Sequence, residues 1–190
     1  MQKFNMRVSV QRLRDNKEKL RLSLKKALET NDLLFLSGGV SMGEKDLIPE
    51  LLEELQVQKI FHKLQIKPGK PVYMGHREKK VIFALPGNPF SCQVLMKILV
   101  EPFLRKSYGL PQMTSFFLPL SQELRKKGLD KDEFLPCQIS PTGNLIPVSF
   151  KGSGDIKAAL NSHGLFHHPA ERQTLKRDEN VLFFPWRSFS

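Results

Sequence analysis

Two uninterrupted apolar runs constrain this chain most: Leu33-Leu-Phe-Leu36 and Val81-Ile-Phe-Ala-Leu85. Each is too short for a helix and lacks polar residues at alternate positions. Each therefore predicts a strand covered on both faces, as in a parallel sheet. The runs end at the turning sequences Gly38-Gly39 and Pro86-Gly-Asn-Pro89, and helical patterns follow both. Strands alternating with helices of this length imply βαβ units.

The flanking sequence fits that grammar. Val8-Ser-Val10 reads as the end of a strand. Asp15 or Asn16 can cap a helix whose Leu20, Leu24 and Leu28 recur on one face, and Asn31-Asp32 ends it. A second helix is expected to begin near Ile48, with Pro49 in its first turn and Leu51, Leu52 and Leu55 facing inward. Ile60, His62, Leu64 and Ile66 alternate with Phe61, Lys63 and Gln65, which predicts another strand. A long helix should run from Phe90 to about Lys106, with Pro102 bending its last turn. After Tyr108-Gly-Leu-Pro111, short apolar runs are broken by Pro and Gly at intervals of about ten residues. The expected architecture is α/β. Residues 1–108 should form a partial three-layer ligand-binding domain with a largely parallel sheet, and residues 109–190 a small all-β barrel.

Composition narrows the function classes. The 190 residues carry 30 Lys and Arg against 19 Asp and Glu, a formal charge of +11. Nine of those cations, against three acids, lie in residues 1–30, where Phe4 is the only aromatic residue. A basic face attracts oxyanions, phosphorylated metabolites or nucleic acid. Single-strand binding needs stacking platforms that this stretch lacks, so nucleic acid is not an expected partner. No run of about 18 apolar residues occurs, so no membrane span is expected. Two cysteines and a polar amino terminus lead to the expectation of a cytoplasmic protein.

Three loops carry the chemistry. In Ser37-Gly-Gly-Val-Ser-Met-Gly-Glu-Lys-Asp46, Gly38, Gly39 and Gly43 allow close backbone approach to a ligand. Ser37 and Ser41 offer hydroxyls, while Glu44 and Asp46 could hold a divalent metal or a ribose hydroxyl. Lys67-Pro-Gly-Lys-Pro71 sets Lys67 and Lys70 three residues apart in a stiff loop suited to an oxyanion or phosphate. Leu85-Pro-Gly-Asn-Pro-Phe-Ser91 opens the long helix at its positive end and adds the Ser91 hydroxyl. Each loop alone also fits a plain role: a tight connection capped by Asp46, a turn with solvated lysines, a proline-rich cap. Together they converge on a phosphate-bearing or oxyanion substrate. His163, His167 and His168 lack the cysteine pair or acidic ligand a zinc site needs, and Cys92 reads as a packed thiol.

These three motifs, in this order, resemble the MoeA-type molybdopterin molybdenumtransferases, relatives of the gephyrin E domain. The resemblance runs from Asp15 to about Trp186. It implies insertion of molybdate into adenylylated molybdopterin with release of AMP, with Mg²⁺ as cofactor. It implies metal and substrate roles for Asp15 and Asp46, with Glu44 as a second metal ligand, and a clamp of Lys67, Lys70 and Pro71. Substrate contacts are implied for Ser37, Gly38, Gly39, Ser41, Gly43, Pro86, Gly87, Asn88 and Ser91, with Ser153 of Lys151-Gly-Ser-Gly154 beside the molybdate. Lys131 and Pro136 stand where the family usually carries arginine. The resemblance further implies two more N-terminal domains, a strand and helix ahead of Val8, and a homodimer that completes the site. The expectation is the C-terminal part of such an enzyme. The alternative is a remnant that holds molybdopterin or AMP, or scaffolds other enzymes, without turnover.

Overall fold

The computed structural model describes residues 4–13, 16–39, 47–113, 115–150 and 156–187. The chain forms two compact units. One is Met1–Leu64 with Pro71–Gly87, the other Gln65–Lys70 with Asn88–Ser190. The change of pattern after Tyr108-Gly-Leu-Pro111 predicts a boundary near residue 109. In the structure the long helix and the Gln65–Lys70 segment belong to the second unit.

In the first unit, helix α1 (Lys17–Thr30) starts at Asn16, whose Oδ1 accepts from Lys19 N at 3.0 Å. Leu20, Leu24 and Leu28 are its buried stripe. Helix α2 (Leu47–Glu54) adds Ile48, Leu51 and Leu52, the last two fully buried. Both helices pack on one face of a four-stranded sheet, against Leu34, Leu36, Ile82 and Ala84. Phe35 and Phe83 stack on the opposite face, ring centroids 5.6 Å apart.

The sheet order is β1 (Leu33–Ser37), β5 (Lys80–Leu85), β4 (Tyr73–Arg77), β2 (Gln58–His62). Only β1 and β5 run parallel; β5 with β4 and β4 with β2 are antiparallel. The expected largely parallel sheet is thus corrected to a mixed one. The cause is β4, a mixed polar and apolar stretch with no clean period in the sequence. It leads into β5 through a two-residue turn in which Glu78 has φ +55°. Gly75 of β4 has no room for a Cβ, which would lie 2.7 Å from Val57 Cγ1. The apolar run of β1 lies half-buried at the sheet's edge instead of in its interior. No strand forms at Val8–Val10, where both valines are exposed.

The expected strand Ile60–Ile66 is two strands. Lys63 turns at φ +72°, and β3 (Ile66–Lys67) pairs with β8 (Asp132–Ile139) in the second unit. The second unit opens with a helix in three parts: α3 (Pro89–Leu95), a π-helical turn (Met96–Val100) and α4 (Glu101–Ser107). Pro102 cannot donate to the preceding turn, and the wider turn just ahead of it accommodates that loss. Phe90, Val94, Leu95, Val100 and Leu104 are its buried apolar side chains.

Strands β6 (Phe116–Pro119), β8 (Asp132–Ile139), β10 (Gly164–His168) and β12 (Asn180–Pro185) join β3 in the order β3-β8-β10-β12-β6, and β9 (Leu145–Pro147) also pairs with β8. Leu120, Cys137, Leu145, Phe166, Val181 and Phe183 form the core of this unit. A ribbon of β7 (Leu124–Arg125) and β11 (Thr174–Leu175) and a short helix α5 (Ile156–Leu160) complete it. The expected barrel does not close among the described residues. Leu120 and Leu145 meet at one isolated bridge, with Ser121 N donating to Leu145 O, and no ladder forms there.

Gly164 carries the tightest packing of this sheet. An added Cβ would collide with the Phe184 carbonyl and lie 2.6 Å from the Phe183 ring. Gly164→Ala is expected to destabilise the protein by about 2 kcal/mol or more, because a backbone carbonyl cannot rotate away. Chemical denaturation measures it, and an unchanged midpoint would contradict the packing described.

Candidate functional site

The parallel pairing of β1 and β5 places Ser37 opposite Leu85, so the first and third motifs leave the sheet side by side. Gly38 N donates to Leu85 O at 3.1 Å, which locks the two strand ends together. A Cβ on Gly87 would lie 3.6 Å from Gly38 Cα. Gly38 and Gly39 have φ of +93° and +68°, a region that costs any other residue strain. Gly39 has a second reason to be glycine, since its Cβ would lie 2.8 Å from Ile48 Cγ1 on α2. Ser37, Gly38, Gly39, Pro86 and Gly87 are therefore assembled at the carboxyl ends of adjacent parallel strands, where open α/β sheets bind ligands. The Gly38 amide is already taken by Leu85, so that donor holds the scaffold. Pro71 belongs to the same unit.

The second unit carries the clamp and the helix start. Gly69 has φ +111°, and its missing side chain leaves room for Leu95, whose Cγ lies 3.0 Å from the Cβ position. Lys67 stands opposite Glu133 in the parallel β3–β8 pair, and its Nζ lies 3.1 Å from Glu133 Oε1. Asn88 caps α3: its Oδ1 accepts from Ser91 N at 3.3 Å and from the Ser91 hydroxyl at 3.5 Å. Ser91 is buried, so its hydroxyl belongs to the cap in this conformation. Asp15, Ser41, Gly43, Glu44, Asp46 and Ser153 lie outside the described residues.

A cavity of about 390 Å³ opens beside Lys67. Lys67, Arg125, Lys126, Lys127 and Lys131 line it, against the carboxylates of Asp130 and Glu133. Lys126 is buried, and its ammonium donates to the carbonyls of Lys131 and Pro169. It thereby ties the Lys127–Asp130 turn to the end of β10. Lys131 pairs with Asp130 at 2.9 Å. The Asp130 carboxyl is held below its ordinary range by that hydrogen bond first, then by its own backbone, with the charges of Lys131 and Lys70 adding to it. Lys70 thus acts on the same group of charges. The sequence reading assigned no role to Arg125, Lys126, Lys127 or Glu133. Their signal was the tripeptide Arg125-Lys-Lys127 in a weak strand pattern, indistinguishable from a solvated edge.

The histidines have separate duties. His163 Nδ1 accepts from Ile139 N at 2.9 Å, and His167 Nε2 bonds Asp132 at 2.7 Å. His168 is buried beside the cavity and donates to Arg172 O at 2.8 Å. Among the described residues, no three His, Cys, Asp or Glu side chains gather closely enough to hold a metal. Burial pushes the Cys137 thiol up to about 12, so it is inert packing.

Burial also lowers the His168 imidazole below its ordinary 6.5, the Arg172 carbonyl opposing in part. Between the lowered value and 6.5 the unfolded chain binds the proton that the folded chain refuses. Stability is therefore complete above pH 6.5 and falls as pH drops through the folded value. In His168→Gln, the slope of stability below pH 6.5 should flatten. Denaturation at several pH values checks this, and an unchanged slope would contradict it.

The fold and its strand-end loops define a ligand-binding domain of the mixed α/β class. A family model described as "Probable molybdopterin binding domain" matches residues 3–106, and the chain belongs to that family. It is 34% identical over 185 residues to the molybdopterin molybdenumtransferase of Synechocystis sp., covering 94% of this chain and 45% of that protein. It is 39% identical over 163 residues to the molybdenum cofactor synthesis protein cinnamon of Drosophila melanogaster, covering 83% of this chain and 27% of that one. The crystal structure of the molybdopterin biosynthesis moea protein of Pyrococcus horikosii superposes with a TM-score of 0.76 at 28% identity. That match covers 93% of this chain and 42% of the other. The chain spans less than half the length of these relatives. No helix among the described residues is long and apolar enough to cross a membrane.

Proposed function

We propose that this chain acts in molybdenum cofactor biosynthesis, in the insertion of molybdate into adenylylated molybdopterin with release of AMP. One observation carries the reading. The glycine loops of a molybdopterin-binding family sit at paired strand ends, and Lys67 of the lysine motif that lies between them in sequence lines a cavity rich in positive charge.

The chemistry needs negative charge neutralised at a tetrahedral oxyanion and at a departing phosphate. Lys67 and Lys70 supply it from the clamp, while Gly38, Gly39 and Gly87 let the ligand approach the backbone of the first unit. Ser41 and Gly43 extend that loop, Asn88 and Ser91 shape the helix start, and Ser153 adds a hydroxyl on the molybdate side. Mg²⁺ belongs to this reading: Asp46 and Glu44, with Asp15, are hard oxygen donors of the kind it takes, and it would polarise the phosphoanhydride. A homodimer in the cytoplasm completes the proposal. A second reading, binding of molybdopterin or AMP without turnover, draws on the family description, which names binding alone.

The test is AMP release from adenylylated molybdopterin on addition of molybdate. The transfer reading expects molybdate-dependent release. It expects release to fall at least about a hundredfold in Lys67→Ala/Lys70→Ala, with a preserved circular dichroism spectrum. Lys67 is 60% exposed, so its removal spares the core. Tight pterin binding without release would favour the second reading, and full activity in the double variant would sink the clamp assignment.

A further inference from the structure

The five cations of the cavity are not equivalent. Lys67 is engaged by Glu133, Lys131 by Asp130, and the Lys126 ammonium by two backbone carbonyls. Arg125 and Lys127 are exposed and have no ion pair or side-chain hydrogen bond among the described residues. Once the two carboxylates are matched with their lysines, the charge left uncompensated by an anion is that of Arg125 and Lys127, beside a Lys126 held only by dipoles. His168 adds none while it is neutral.

The backbone that carries these two groups is fixed. Arg125 stands opposite Thr174 in the β7–β11 ribbon. On one side Leu124 packs against the core of the second unit. On the other, Lys126 N donates to Gln173 O at 3.0 Å and the Lys126 side chain is buried. The backbone under the guanidinium is already set, so binding orders the side chain alone, and its planar donors match two oxygens of a tetrahedral anion. Lys127 follows as a point charge on the same wall.

We propose that Arg125 and Lys127 bind a tetrahedral oxyanion group directly, forming the anion contact of the cavity that the sequence motifs do not name. The inference rests on the functional reading above and deepens it. The group is either molybdate or the phosphate of an adenylylated ligand, which share this chemistry. The Lys67–Glu133 and Lys131–Asp130 pairs flank the bound anion, while Arg125 and Lys127 hold it without breaking a pair.

Equilibrium dialysis of the 190-residue chain tests this, with molybdate in one arm and AMP in the other, each used also to displace its rival. At least one anion should bind, and Arg125→Ala/Lys127→Ala should weaken it by about tenfold or more with an unchanged thermal midpoint. Arg125→Lys should restore only part of the loss. The displacement arms identify which source the site takes. Lys25→Ala/Lys26→Ala removes the same charge from exposed positions on α1 and should leave binding unchanged. Three results would overturn the inference: a wild-type chain that binds neither anion, an Arg125/Lys127 variant within twofold of wild type, or an equal loss in the α1 variant. The failures separate. AMP release by wild type beside unchanged anion binding in the Arg125/Lys127 variant defeats this inference alone. Arg125-dependent binding without AMP release defeats the transfer reading alone.

Discussion

The parallel ladder between β1 and β5 is the contact on which the candidate site depends. Its five register pairs run from Leu33 with Val81 to Ser37 with Leu85, and the last pair sets the starting points of two glycine-rich loops. A slip of one residue would turn Leu34 and Leu36 away from α1 and α2 and would separate Gly38 from the Leu85 carbonyl. The apolar packing that holds the register thus also holds the loops. Stability and site geometry have a common origin in this unit.

The second unit works by charge placement. Strand β3 has only two residues, yet its pairing with β8 sets Lys67 opposite Glu133 and puts the lysine motif on the wall of a cavity. The buried Lys126 then fixes the turn that carries Lys127, Asp130 and Lys131. Paired charges on a rigid frame leave a cavity that is positive without being crowded by unbalanced lysines. This suits an anion that must bind and then be released.

Much of this was legible in the sequence, for identifiable reasons. The Leu20, Leu24, Leu28 stripe and the inward Leu51 and Leu52 follow from helical period, and of the two cap candidates, Asp15 and Asn16, the structure uses Asn16. Local signals of that kind do not report strand neighbours. Leu33–Leu36 has the composition of an interior strand and lies at an edge. The Ile60–Ile66 alternation conceals the turn at Lys63 that divides it between two sheets, because a lysine at positive φ leaves no mark in a hydropathy pattern. A closed barrel is not seen among the described residues, and turn spacing predicts short strands but says nothing about whether the outer ones pair. The motifs located the glycine loops and Lys67. Glu133, Arg125 and Lys127 come to the same cavity through long-range pairing, which no local pattern encodes.

The proposed function requires that the carboxyl ends of β1 and β5 receive the ligand. Amide NMR of the chain titrated with adenylylated molybdopterin tests it most directly. The account expects the largest saturable shifts at Ser37, Gly38, Gly39 and Gly87, with the edge strand β6 unmoved. Binding that leaves those four amides in place and shifts signals elsewhere would contradict it.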